Sequence, residues 1–209
     1  MIKVILFDMD GVIIDAKIWH YDVLNRALRH FGYTISPESH LTTFDGLPTR
    51  NKLTILSQSK HLPSGLHELI NQLKQIYTLE ITHQRCKPVF NHQQALRSLK
   101  NEGYKIAVCS NSIRATIKTM MKLSSLNSYL DLILSNQDVI DGKPNPEIYI
   151  KAMQHLEVSP NECLILEDND NDNGIKAALA SGGHLLKVGT PSDVKYETIK
   201  RRIQEIEGT

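Results

Sequence analysis

ILFDMDGVIID, residues 5–15, sets two aspartates, Asp8 and Asp10, directly behind an apolar run. The run, Ile2–Phe7, does not alternate cleanly with polar residues, as a strand with one wet face would. An unbroken run of that length suits a strand buried on both faces, which is the habit of parallel sheets covered by helices. Two carboxylates so close together repel. Either a positive charge sits between them or one of them holds a proton.

Four more runs of the same kind follow: Ile106–Cys109, Leu130–Leu134, Cys163–Leu166 and Leu185–Val188. Helical spacing fills the gaps. Ala95, Leu96 and Leu99 precede the second run and stop at Gly103. Ile113, Ile117, Met120, Met121 and Leu123 follow it. Ile148, Tyr149, Ala152, Met153 and Leu156 start after Pro146, and Ile175, Ala178 and Leu179 lie before the last run. Strands alternating with helices predict an α/β, doubly wound parallel sheet. Residues 16–85 break the alternation. Tyr21, Leu24, Leu28 and Phe31, then Leu53 and Leu56, then Leu66 to Tyr77, repeat at helical spacing with no strand between them. The expected organisation is a core of residues 1–15 and 86–209, with residues 16–85 inserted as a helical module.

The bulk numbers exclude several classes. Twenty-four Lys and Arg against 23 Asp and Glu give a net charge of +1, which offers no field for nucleic acid or an anionic membrane. No apolar stretch approaches the roughly 20 residues that span a bilayer, and Val4–Phe7 is too short for a secretory signal. Cys86, Cys109 and Cys163 lie far apart and form no CxxC pair, so three reduced thiols in a cytoplasmic protein are expected. A monomer or weak dimer is expected.

In open parallel sheets ligands collect beyond the carboxyl ends of the strands. There the sequence puts Asp8-Met9-Asp10-Gly11, Ser110-Asn111-Ser112, Gly142-Lys143-Pro144 and Glu167-Asp168-Asn169-Asp170. Singly these are a turn, a helix cap, a surface loop and an acidic run. Together they suit phosphate chemistry. Clustered carboxylates call for a hard divalent cation such as Mg²⁺. A hydroxyl, free amides and a lysine suit a phosphate. One aspartate can attack phosphorus while the other donates and then accepts a proton. The run EDNDNDNG is not a calcium loop: counted from Asp168 or Asn169, its twelfth position is Leu179 or Ala180, where a bidentate Glu is needed.

In order and spacing, FDMDG (7–11), VCSNS (108–112), GKPNPEIY (142–149) and LILEDNDNDNGIKAALASG (164–182) resemble the four motifs of the haloacid dehalogenase-like hydrolases, in particular the β-phosphoglucomutase-like phosphatases with a small helical cap. The resemblance implies a Rossmann-like core with residues 16–85 as the cap domain. It implies Asp8 as nucleophile, through an aspartyl phosphate, and Asp10 as general acid/base. It further implies Ser110 and Asn111 on the phosphate and Lys143 as charge balance. Mg²⁺ would be held by Asp8, the Asp10 carbonyl and Asp168, with Glu167 beside it. His20, near the hinge, and Arg50, in the segment TFDGLPTRNKL (43–53), match substrate-contacting positions. The fourth motif is about two residues longer than the family's, so Asp170 or Asp172 stands as an alternative to Asp168. Ala16 replaces a hydroxyl residue near the hinge.

The function so implied is a Mg-dependent phosphatase acting on a small phosphomonoester, a sugar or polyol phosphate. The alternative is a sugar phosphate mutase of the β-phosphoglucomutase kind, and the remote one a catalytically silent phosphate-binding module.

Overall fold

A computed structural model describes residues 1–44, 47–170 and 172–208; Asp45, Gly46 and Asn171, which the sequence motifs include, lie outside it, as does the side chain of Leu41. In chain order the elements are β1 (Val4–Phe7), α1 (Lys17–Arg29), the single turn α2 (Pro37–Ser39), α3 (Thr49–Lys60), α4 (His67–Arg85), α5 (Phe90–Asn101), β2 (Lys105–Cys109), α6 (Arg114–Leu123), β3 (Leu132–Leu134), α7 (Glu147–His155), β4 (Cys163–Asp168), α8 (Asp172–Ala180), β5 (His184–Val188) and α9 (Tyr196–Glu207). The chain divides into two compact units, Met1–Asp15 with Cys86–Thr209, and Ala16–Arg85.

The first unit is built on one five-stranded sheet in the order β3-β2-β1-β4-β5, with every pairing parallel. The central strand explains why. Val4, Ile5, Leu6 and Phe7 are all fully buried, so both faces must be covered, and only helical crossovers do that for parallel neighbours. Val4 and Leu6 point to the face packed by Ile148, Tyr149, Ala152 and Met153 of α7 and by Ala177 and Ala178 of α8. Alternation along the strand sends Ile5 and Phe7 to the other face. Each such side chain contributes about 1.5–3 kcal/mol on burial. The chain runs outward from β1 to β2 and β3, then returns across to β4 and β5. The strand order therefore reverses beside β1, which is where such sheets bind ligands.

The five predicted strands are present. β4 runs further than expected: Glu167 and Asp168 are its last two residues, paired with Lys187 and Val188 of β5. Gly32 and Gly103 take positive φ values of 78° and 90° just after α1 and α5, so these two stops are backbone requirements. Leu179, expected in the core face of α8, is 60 % exposed; Gly174, Ile175, Ala177 and Ala178 form that face instead. Small residues there let the helix approach the sheet closely. α9 lies beyond the last element read from sequence and anchors itself through Ile199 and Ile203.

The second unit has no strand among its described residues. Val23, Leu24, Ala27 and Leu28 of α1 pack with Leu53 and Leu56 of α3 and with Ile70 and Tyr77 of α4. Asn25 is buried there because it exchanges two hydrogen bonds with the Ile35 backbone, at 2.7 and 3.1 Å.

The three cysteines are free and buried, and burial pushes the Cys86 thiol up to about 11 and Cys163 to about 12. No described helix is long and apolar enough to cross a membrane.

One buried base links this fold to pH. His92 of α5 is 2 % exposed, and its Nε2 lies 2.7 Å from the Pro191 carbonyl. Burial lowers its pKa from the ordinary 6.5, partly offset by that bond. The unfolded chain therefore takes up a proton near pH 6.5 while the native chain does not. Stability is complete above that pH and falls as the pH drops below it. We expect the melting temperature of wild type to decline between pH 7 and 5 more steeply than that of His92→Gln. Parallel profiles would show that His92 carries none of the dependence.

Candidate active site

The first turn after β1 is tied by its own backbone. The Met9 carbonyl accepts from Ile13 and Ile14 at 3.0 and 2.9 Å, and the Gly11 N–H donates to the Ile14 carbonyl at 2.8 Å. The turn holds Asp8 and Asp10 at the carboxyl end of the central strand. Asp8 is 5 % exposed.

Lys143 comes from the loop before α7 and is 3 % exposed. Its Nζ donates to Asp8 Oδ1 at 2.7 Å and to Glu167 Oε1 at 2.8 Å. Burial alone would discharge the ammonium, but the two carboxylates outweigh it and hold the lysine charged. The same ammonium cannot balance both acids. Burial, Glu167 and Asp10 together outweigh Lys143 and push Asp8 up to about 8.

The Lys143 backbone is clamped as well. Asn111, two residues past β2, accepts from the Lys143 N–H at 3.0 Å and donates Nδ2 to the Lys143 carbonyl at 3.2 Å. The side chain thus seats the lysine loop, its amide offering both a donor and an acceptor to a peptide that needs both, while the expectation for Asn111 concerned its backbone. Ser110 is 2 % exposed, and its Oγ accepts from the Ser112 N–H at 3.1 Å. The Ser112 hydroxyl, given no role in the sequence reading, reaches Asp10 Oδ2 at 3.3 Å.

Glu167 and Asp168 are neighbours on a strand and so point to opposite faces. Expected beside the metal, Glu167 instead spends Oε1 on Lys143 and on the Tyr149 hydroxyl. Tyr149 was read only as a core residue of α7; its phenol is held protonated by burial and by Glu167. Asp168 is fully buried, with Oδ1 accepting from the Asp170 N–H at 3.0 Å, whereas Asp170 and Asp172 are exposed. The lengthened loop thus sends its additional acids outward and keeps Asp168 inside. His20 lies half-buried in α1, and Arg50 is exposed in the first turn of α3; both belong to the helical unit.

Among the described residues no three His, Cys, Asp or Glu side chains are grouped to hold a metal. A site of two carboxylates and one carbonyl, as Asp8, Asp168 and the Asp10 carbonyl offer, does not need three. The charge also fits. Asp8 and Glu167 are buried against one lysine, and Asp8 is forced toward its protonated form. A hard divalent cation on oxygen ligands relieves that imbalance.

The model of the haloacid dehalogenase-like hydrolases matches residues 5–188. The chain belongs to that family. It is 25 % identical over an alignment of 226 positions to a phosphorylated carbohydrates phosphatase of Thermotoga maritima, covering 98 % of this chain and 99 % of that protein. It is 29 % identical over 189 residues to a phosphoglycolate phosphatase of Aquifex aeolicus, covering 88 % and 86 %. Its fold matches the crystal structure of a β-phosphoglucomutase from Clostridium difficile with a TM-score of 0.85 over 100 % of both chains, at 21 % identity. As a haloacid dehalogenase-like hydrolase, the protein is an enzyme with its motifs gathered at the reversal point of the sheet.

Gly174 is where this site meets the fold. A Cβ there would lie 2.1 Å from Glu167 Oε2 and 2.4 Å from Glu167 Cδ. Helix propensity alone says that Ala stabilises α8 by about 0.8–1.0 kcal/mol. Overpacking against a carboxylate fixed by Lys143 and Tyr149 costs about 1–3 kcal/mol and wins. Gly174→Ala is therefore expected to melt below wild type. An equal or higher melting temperature would show that Glu167 moves aside freely.

Proposed function

We propose that this hydrolase is a cytoplasmic, Mg²⁺-dependent phosphatase that cleaves a small phosphomonoester, a sugar or polyol phosphate, through an aspartyl phosphate on Asp8. The observation that carries the reading is the buried Lys143 bridge between Asp8 and Glu167. A structural ion pair has no need of two buried acids on one lysine, and that excess is costly unless it serves a charged ligand. Membership of a hydrolase family and relatives named as phosphatases give the class, a phosphoric monoester hydrolase. The Thermotoga relative's name, for phosphorylated carbohydrates, favours a sugar substrate.

In this reading an Asp8 carboxylate oxygen attacks phosphorus. The P–O bond to the alcohol breaks, and Asp10 gives its proton to the leaving oxygen. Asp10 then takes a proton from a water that attacks the aspartyl phosphate, which frees inorganic phosphate and restores Asp8. Ser110 and the amides beside it receive the phosphoryl oxygens, and Lys143 balances their charge. Asp8, Asp168 and the Asp10 carbonyl would hold Mg²⁺, which would supply charge neutralisation to the phosphoryl group. The helical unit, residues 16–85, serves as the cap, and His20 and Arg50 supply its substrate contacts.

The deciding assay measures phosphate release from a panel of sugar, polyol and nucleotide monophosphates, with Mg²⁺ or EDTA. We expect release from a sugar or polyol phosphate that EDTA abolishes and that Asp8→Asn lowers by at least a thousandfold while the melting temperature is kept. Activity retained in Asp8→Asn removes the nucleophile. If β-glucose 1-phosphate with trace bisphosphate yields glucose 6-phosphate without free phosphate, the enzyme is a mutase. Asp10→Asn separates the proton donor from the nucleophile. Its loss should be at least tenfold greater for a sugar phosphate than for p-nitrophenyl phosphate, whose leaving group needs no proton. Equal losses on both esters would rule out the acid role.

A further inference from the structure

We propose that Tyr149 is a positioning residue for phosphoryl transfer, its hydroxyl locking Glu167 so that the Lys143 ammonium stays on Asp8. The inference rests on the phosphatase reading above. Tyr149 grips both partners of the bridge. Its hydroxyl donates to Glu167 Oε1, the same oxygen that accepts from Lys143. Its ring lies under the ammonium, with Nζ 4.8 Å from the centroid, within the reach at which a cation is drawn to an aromatic face.

Glu167 has few other restraints. It is fully buried, and Oε2 has no hydrogen-bond donor among the described residues. That oxygen is turned toward Gly174, at the place a Cβ would occupy. The carboxylate is thus held on one side only, by Tyr149 and Lys143. Remove the phenolic donor, and the lysine becomes the sole donor to Glu167. The ammonium is then free to shift from a position shared between two acids toward Glu167. Asp8 would lose its cationic neighbour in part, and so would the phosphoryl group arriving on it.

Tyr149 itself cannot drift. It is fully buried in the first turn of α7, and its N–H donates to the Pro146 carbonyl at 3.0 Å. Pro146 starts that helix three residues past Lys143. One short segment, KPNPEIY, therefore carries both the lysine and the residue that aims it.

The test is Tyr149→Phe, which keeps the ring and removes only the hydroxyl. Wild type and Asp8→Asn are assayed alongside, on p-nitrophenyl phosphate and on the best substrate of the panel. Loss of activity in Asp8→Asn shows that the phosphatase reading holds before Tyr149 is judged. We expect Tyr149→Phe to lower kcat about tenfold or more on both esters, with KM within twofold of wild type. In a Glu167→Gln background the same substitution should change kcat by less than twofold, because the carboxylate charge that competes for Lys143 is already gone. A merely structural role would lower the melting temperature and the folded fraction without that coupling. Tyr149→Phe with wild-type kcat, or with an undiminished effect beside Glu167→Gln, overturns the proposal. Should Tyr149→Phe not fold, Glu167→Gln alone decides. A tenfold fall in kcat at constant KM supports the lock, and an unchanged kcat overturns it.

Discussion

One ammonium between two buried carboxylates organises this protein. Lys143 meets Asp8 at 2.7 Å and Glu167 at 2.8 Å with almost no water around it. In such surroundings unpaired charge is expensive, so each participant needs a fixed partner. That need explains features far apart in the chain. Asn111 spends its amide on the Lys143 peptide. Tyr149 gives up its phenolic proton's freedom to Glu167. α8 carries a glycine where the Glu167 carboxylate lies. Each is costly or wasteful considered locally. Each follows once the lysine must stand at one point.

The parallel sheet makes that convergence possible. Asp8 leaves β1, Ser110 and Asn111 leave β2, and Glu167 and Asp168 end β4, all at the carboxyl edge. β2 and β4 flank β1 directly, and neighbouring strands lie about 4.8 Å apart. Residues separated by more than 150 positions are thereby brought within side-chain reach. The core that pays for this is ordinary: Val4, Leu6, Ile165 and their helical partners are closely packed and fully buried.

Much of this was legible in the sequence, because burial on both faces leaves a plain mark. Five unbroken apolar runs gave five strands, and helical spacing without such runs marked residues 16–85 as helical. Short motifs at strand ends marked Asp8, Asp10, Ser110, Lys143 and Asp168 as candidates. What stayed hidden depends on side-chain direction rather than residue type. Glu167 and Asp168 look alike in a string, yet strand alternation sends one to Lys143 and the other to the opposite face. Nothing in the string shows that the Asn111 side chain clamps the Lys143 peptide. Tyr149 falls at a core position of an amphipathic helix, and nothing in periodicity distinguishes a hydroxyl that is merely buried from one that has a carboxylate to hold. α9 went unread because its charged sequence buries only Ile199 and Ile203 deeply.

The lengthened acidic loop shows the same logic from the outside. The additional residues between β4 and α8 raise the local count of carboxylates, which invites reading Asp170 or Asp172 as a ligand. Burial argues otherwise. Asp168 is fixed at the end of a paired strand, and the Asn169 N–H that follows donates to the Val188 carbonyl at 2.7 Å. A carboxylate on a strand end is held by the ladder. Asp168 can thus be positioned without any help from a cation, and an insertion just after it changes the loop without moving that carboxylate. The motif tolerates the extra length for that reason: the sheet, not the loop, sets where the carboxylate stands.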